Sequence, residues 1–152
     1  MRNRRGFSLT ELLIVVAIVA MVTRLSLPKL NATRDRNALR AAKLQVASYI
    51  ATARAAAIRR SQPAQFFTSS STAWATVGTT SRSSVSGTIR LTNLKVAVSS
   101  NNAGVNPAND SILFDARGMA SNLGGTRVYR LSRNNLTDSI CVSRLGLITR
   151  FC

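Results

Sequence analysis

A single carboxylate, Glu11, stands in a run of Leu, Ile, Val, Ala and Met that occupies residues 7–23. A charged side chain at the centre of a membrane helix costs roughly 2.5–3.5 kcal/mol on insertion scales, so an acid in such a run is ordinarily paired and functional. No basic side chain lies one helical turn from Glu11. The other residues capable of chemistry are two cysteines, Cys141 and Cys152, and 21 Lys and Arg against 5 acids. Histidine is absent, and neither cysteine belongs to a CxxC spacing or a Cys/His cluster, which argues against a metal site or a thiol enzyme. With so few acids and no imidazole, the usual acid–base and nucleophile–base arrangements lack parts. The chain therefore reads as a non-enzyme with no cofactor and no metal.

The elements around Glu11 explain what it could pair with. Residues 1–6, Met-Arg-Asn-Arg-Arg-Gly, are short and cationic, and positive charge before an apolar segment holds that end in the cytoplasm. A secretory leader carries its small-residue cleavage site after the apolar stretch. Here the candidate site, between Gly6 and Phe7, precedes it, so cleavage leaves the apolar helix attached. The run is 17 residues long before Arg24 cuts it. A bilayer asks for about 20, so Arg24 and Lys29 would have to snorkel to the far headgroups. A weak span suits a protein later withdrawn from the bilayer. Cleavage after Gly6 would also free an amino group on Phe7, the other charge near Glu11. The two are poorly placed to meet within one helix, whereas a neighbouring copy shifted along a filament could supply the amine.

The segment Gly6-Phe7-Ser8-Leu9-Thr10-Glu11-Leu12-Leu13 resembles the class III leader junction of type IV pilins and type II secretion pseudopilins. The resemblance implies that a membrane peptidase cuts after Gly6 and N-methylates Phe7, and that Glu11 neutralises a neighbour's N-terminus during assembly. Pro28 falls where those families place a helix-kinking Pro, whose ring removes a backbone hydrogen bond. The implied partners are other pilin subunits, a prepilin peptidase, an inner-membrane assembly platform and membrane lipid before assembly. The implied location is a single pass of the inner membrane, then periplasm and a cell-surface pilus.

Residues 37–60 carry a helical pattern, with Leu39, Ala42, Val46, Ile50, Ala53 and Ala57 at spacings of three and four on one face. Gly and Pro are absent there and Pro63 supplies a stop. On the same wheel Arg36, Arg40, Lys43 and Arg54 form a basic wedge that could line a solvent groove or a boundary with a neighbour. Beyond Pro63 the pattern turns to short strands, at 64–68, 73–77, 88–91, 94–98, 111–114, 127–132, 139–143 and 147–151. Residues 81–87 read as a loop, residues 99–110 as a polar stretch, and Arg144-Leu145-Gly146 as a tight turn that brings Cys141 and Cys152 together across a hairpin. The expected fold is α+β: a long N-terminal helical spine packed on a C-terminal antiparallel β-sheet head. Its parts are a cleaved leader (1–6), a hydrophobic assembly helix (7–30), an amphipathic half-spine (31–62) and a β-rich head (63–152) closed by a disulfide loop.

Within the head, Ile112-Leu113-Phe114-Asp115-Ala116-Arg117-Gly118 resembles the strand-and-turn element of the GspH/FimT/FimU group of minor pilins and pseudopilins. The resemblance implies a minor subunit near the filament tip; a pseudopilin of type II secretion and a major pilin are the related alternatives. Some FimT-type members bind DNA for natural transformation through Gly-Arg-x-Arg; here Gly146 is followed by Leu147-Ile148-Thr149-Arg150, without the first Arg. Removal of Arg2, Arg4 and Arg5 leaves 18 cations against 5 acids, +13, so a polyanion such as DNA is a further candidate partner, with Arg127, Arg130, Arg133, Arg144 and Arg150 as the binding set.

The paired cysteines require an oxidising compartment. Closing about a dozen residues constrains the unfolded chain by roughly 3 kcal/mol in the entropy account. Urea unfolding with and without a thiol reductant is expected to show a loss of about that size; equal midpoints in both conditions would mean that the bridge contributes nothing.

Overall fold

The Ala-rich, Gly-free stretch after residue 30 favours helix, and its apolar stripe needs a surface to cover it. In the computed structural model this segment belongs to one helix, α1, Leu9–Arg60. The structure describes residues 8–78, 82–101, 109–149 and 152, and for residues 25–29 the helical backbone alone. Two compact units divide the chain, Met1–Arg34 and Asp35–Cys152. In the first, the described residues are helical from Leu9 onwards. In the second, Leu39, Ala42, Val46, Ile50, Ala53 and Ala57, the face the spacing predicts, are all buried, joined by Ala56.

Among the described residues, nine strands complete the second unit. Ala64–Ser69 (β1) and Thr72–Val77 (β2) form an antiparallel hairpin around Ser70 and Ser71, with Phe67 opposite Trp74. β1 also pairs antiparallel with Asp110–Phe114 (β6), and β2 with the short Ser83–Ser84 (β3) and Ile89–Arg90 (β4). The second sheet has the order β5-β7-β8-β9, where β5 is Ala97–Ser100, β7 Arg127–Arg133, β8 Leu136–Val142 and β9 Ile148–Thr149. Both sheets alternate inward and outward residues, and their inward faces share one core with the helix stripe. Phe66 of one sheet meets Tyr129 of the other edge-to-face, ring centres 5.8 Å apart, at the middle of that core.

The structure departs from the sequence reading in places where turn chemistry overrides pattern. The expected antiparallel head is divided between two sheets. Residues 81–87, read as a loop, include β3, which adds to the edge of the first sheet. Leu91–Leu94, whose end residues Leu91 and Leu94 are read as parts of two strands, is a 3-10 turn that ends at Lys95 with φ +52°, and β5 begins only at Ala97. Asn134, with φ +50°, closes the β7–β8 hairpin, a turn the strand pattern left unmarked although Asn tolerates that conformation well. The segment 102–108 of the expected polar stretch, and Arg150 and Phe151 of the last expected strand, lie outside the described residues.

Two glycines hold the helix to the head. After β6 the chain turns through Asp115 to Gly118, whose φ is +79°. The carbonyl of Gly118 accepts a hydrogen bond from Nε of Arg54 on α1 at 3.0 Å. Gly146, φ +71°, sits in the β8–β9 turn against that same carbonyl and the Arg54 side chain. A Cβ on Gly118 would lie 2.7 Å from the end of the Ile58 side chain, which can move; one on Gly146 would strike the Gly118 carbonyl, which is backbone. Gly118→Ala is therefore expected to cost about 1–3 kcal/mol and Gly146→Ala more, from the positive φ and overpacking together. Urea denaturation of both variants checks the order, and a Gly146→Ala chain as stable as the parent contradicts it.

Candidate functional site

The first unit presents an apolar surface with no cover. Exposure runs from 50% at Val15 to 79% at Leu9, and Leu12, Leu13, Ile14, Val16, Ile18, Val19, Met21 and Val22 fall between. Glu11 stands in the first turn of the helix, where a carboxylate complements the free backbone N–H groups, and its side chain is exposed among these residues. That turn is closed by a bond from the Leu12 N–H to the Ser8 carbonyl at 3.2 Å. The Ser8 and Thr10 hydroxyls lie 2.7 Å apart. Gly6 and Phe7 lie outside the described residues. The helix continues through Pro28. Among the described residues no helix is long and apolar enough to cross a membrane.

The second unit uses its few acids internally. All four of its aspartates hold a cation. Asp35 on α1 accepts Nε of Arg133 at 2.8 Å and the Asn134 amide at 2.7 Å, and Arg133 also reaches the Leu94 carbonyl. Lys43 on the helix binds Asp138 of β8 at 2.6 Å. Asp115 accepts Arg117 and, at Oδ1, the N–H groups of Arg117 and Met119 at 2.9 and 2.8 Å, which shapes the turn before Gly118. Asp110 accepts Nη1 of Arg127 on both oxygens, at 3.1 and 3.0 Å, and that pair is buried. Such a pair is held because removing either partner strands the other charge in the core. The Tyr129 phenol lies near it, and burial, aided by the Asp110 carboxylate, pushes its pKa well above the usual range.

These pairs redraw the expected basic set. Arg127 is 8% exposed and tied to Asp110, and Arg133 is tied to Asp35, so neither offers its charge to a polyanion. Arg130 and Arg144 are exposed; Arg150 lies outside the described residues. The wedge on α1 divides likewise: Arg36 and Arg40 are exposed, while Lys43 and Arg54 bind the head. Net charge counted along the sequence could not reveal this, because each partner is separated by many residues from its cation. Cys141 and Cys152 are bonded, with Cα atoms 5.7 Å apart, and Cys141 pairs with Thr149 across the β8–β9 ladder as the turn at Gly146 requires.

Residues 1–23 match the prokaryotic N-terminal methylation motif, and residues 44–146 match the type II transport protein GspH. The chain belongs to the GspH family. No curated protein matches it. Its fold is similar to that of the type IV minor pilin FimU of Pseudomonas aeruginosa, seen in two crystal forms. One gives a TM-score of 0.59 at 14% identity, covering 76% of this chain and 89% of FimU; the other gives 0.54 at 13%, covering 73% and 90%.

For this GspH-family chain the pilin fold is thus established: a long N-terminal helix whose second part packs on antiparallel sheet. The turn at Asp115–Gly118 joins that helix to the head through Arg54, a role its sequence pattern alone did not disclose. Arg133 and, after it, the Asn134 amide hold the Asp35 carboxyl below its usual range, and the Met119 N–H and Arg117 do the same for Asp115. Stability from these two carboxylates is complete above the ordinary aspartate range and is lost as pH falls through their lowered values. Urea midpoints measured from neutral pH downwards are expected to fall below about pH 4, and less steeply in Asp35→Asn, which has already lost that contribution. An equally steep fall in the variant would exclude Asp35 as a source.

Proposed function

We propose that this chain is a minor subunit of a type IV pilus, inserted in the inner membrane, cleaved between Gly6 and Phe7 by a prepilin peptidase and N-methylated at Phe7, and placed near the filament tip. Its assembly contact is the Glu11 carboxylate of one copy with the Phe7 amine of an adjacent subunit. The observation that carries this reading is the uncovered apolar surface of residues 9–22 with one carboxylate in it. Lipid before assembly and neighbouring helices afterwards would remove that surface from water, at about 25 cal/mol for each Å² buried. A buried carboxylate then needs a counter-charge, and a cleaved N-terminus supplies one. The methylation motif over residues 1–23 and the minor-pilin fold support the same reading.

The GspH family description favours a second reading, a pseudopilin of a type II secretion system. The two differ in what fails when the chain is deleted: surface pili in the first case, secretion of exported proteins in the second. DNA capture has less support, since of the five arginines first assigned to it only Arg130 and Arg144 are both described and exposed.

In cells making the filament, Glu11→Val is expected to be processed normally and to enter sheared fibres at least tenfold less than the parent, from the loss of an ion pair in apolar surroundings. Mass spectrometry of the parent should find a chain that begins with N-methyl-Phe7. Incorporation of Glu11→Val at parental levels, or a native chain that begins at Met1, would sink the proposal.

A further inference from the structure

The outward face of the first sheet carries a feature separate from the assembly contact proposed at Glu11. Residues 65, 67 and 69 of β1 and 72, 74 and 76 of β2 point away from the core and remain half exposed. Phe67 and Trp74, opposite each other in the register, stack with ring centres 5.3 Å apart at 14°. The Arg82 guanidinium lies 5.8 Å from the Phe67 ring centre. Beside the two rings opens a cavity of about 540 Å³, within the ~300–1,000 Å³ common for small-ligand sites.

Its lining is chemically specific. Trp74 and Phe67 form an aromatic wall, and Ser69, Ser111 and Asn109 present neutral hydroxyl and amide groups. Asn122 holds the rim in place: its Oδ1 accepts the Leu113 N–H at 2.8 Å and its Nδ2 donates to the Ser111 carbonyl at 2.9 Å. The cavity also reaches Asp110 and Arg127, the buried pair, whose charges cancel. In a chain of net charge +16, the cation that lines this cavity is already bound to a carboxylate. A phosphate would meet that carboxylate, and the cation among the described lining residues, Arg127, is already paired; Arg82 stands outside the lining, against the Phe67 ring. A neutral ring with polar edges meets none of these costs. The C–H face of a sugar, partly positive, suits the negative face of an indole, and hydroxyl groups around the ring suit amide and serine partners.

We propose that this cavity is a saccharide-binding site, in which Trp74 stacks on a neutral hexose ring and Asn109, Ser69 and Ser111 bond its hydroxyl groups. The fixed rim and the locked ion pair keep the site formed before the ligand arrives, which limits the ordering cost of binding.

Trp74 is the single tryptophan of the chain, so its fluorescence reports this site alone. The full chain, in a zwitterionic detergent without a sugar headgroup, would be titrated with chitotetraose, maltotetraose and an oligothymidylate at low and high salt. At least one saccharide is expected to change the Trp74 emission saturably, with Kd on the order of 1 mM or below, and with no dependence on salt. Asn109→Ala, at the exposed residue just before β6, and Ser111→Ala, opposite Phe67 on the outward face of β6, should each weaken that binding by roughly threefold to tenfold, with circular dichroism and melting unchanged. The proposal is overturned by the absence of any saccharide response up to about 10 mM, far above that Kd. It is also overturned by saccharide affinity that neither variant alters, or by a salt-sensitive response to the oligothymidylate alone, which would mark a nucleic-acid surface instead.

Discussion

The head is organised by the burial of a narrow, small-residue stripe of α1. Ala42, Ala53 and Ala57 are fully buried and Ala56 nearly so, with Val46 and Ile50 between them. Alanine at these points lets strands approach the helix closely, and the volume of the core is filled from the other side by Phe66, Phe114 and Tyr129. Polar ties then fix the register of the helix along the head. Asp35 reaches the β7–β8 hairpin, Lys43 reaches β8, and Arg54 reaches the turn at Gly118. Each tie is partly buried, so water competes with it less than at an open surface.

The helical segment before residue 24 follows the opposite rule. Its apolar residues are found on every side and are exposed. A helix apolar all round is suited to burial on all sides, in lipid or among other helices. The same element thus carries one segment satisfied within its own chain and one that looks outward for its solvent. Under the assembly proposed above, Glu11 would make that search selective, because a carboxylate that stays ionised in apolar surroundings is stabilised by a partner that brings positive charge.

Charge in the second unit is divided between structure and surface. With four aspartates engaged, the arginine excess that remains is what the molecule shows to its surroundings. Long-range attraction to an acidic partner or an anionic membrane depends on that excess and weakens with salt. Local recognition need not follow the same sign: the cavity beside Trp74 is electrically balanced although the chain around it is strongly basic.

Much of the architecture could be read from residue order. Helical spacing at 39–57 identified the buried face because an amphipathic helix repeats every three to four residues whatever it packs against. Alternation and turn residues located most strands of the head, and the Gly146 turn placed Cys141 beside Cys152 because a hairpin's register follows from its turn. The N-terminal methylation motif was legible since its signals lie consecutively within eight residues, Gly6 to Leu13. The tertiary structure alone decided the division into two sheets, the 3-10 turn at Leu91–Leu94, and which arginines are held inside. Those outcomes rest on contacts between residues far apart in the chain, such as Asp110 with Arg127 and Asp35 with Arg133. Local pattern carries the periodicity of an element, but the partner of a charge is set by where distant elements meet.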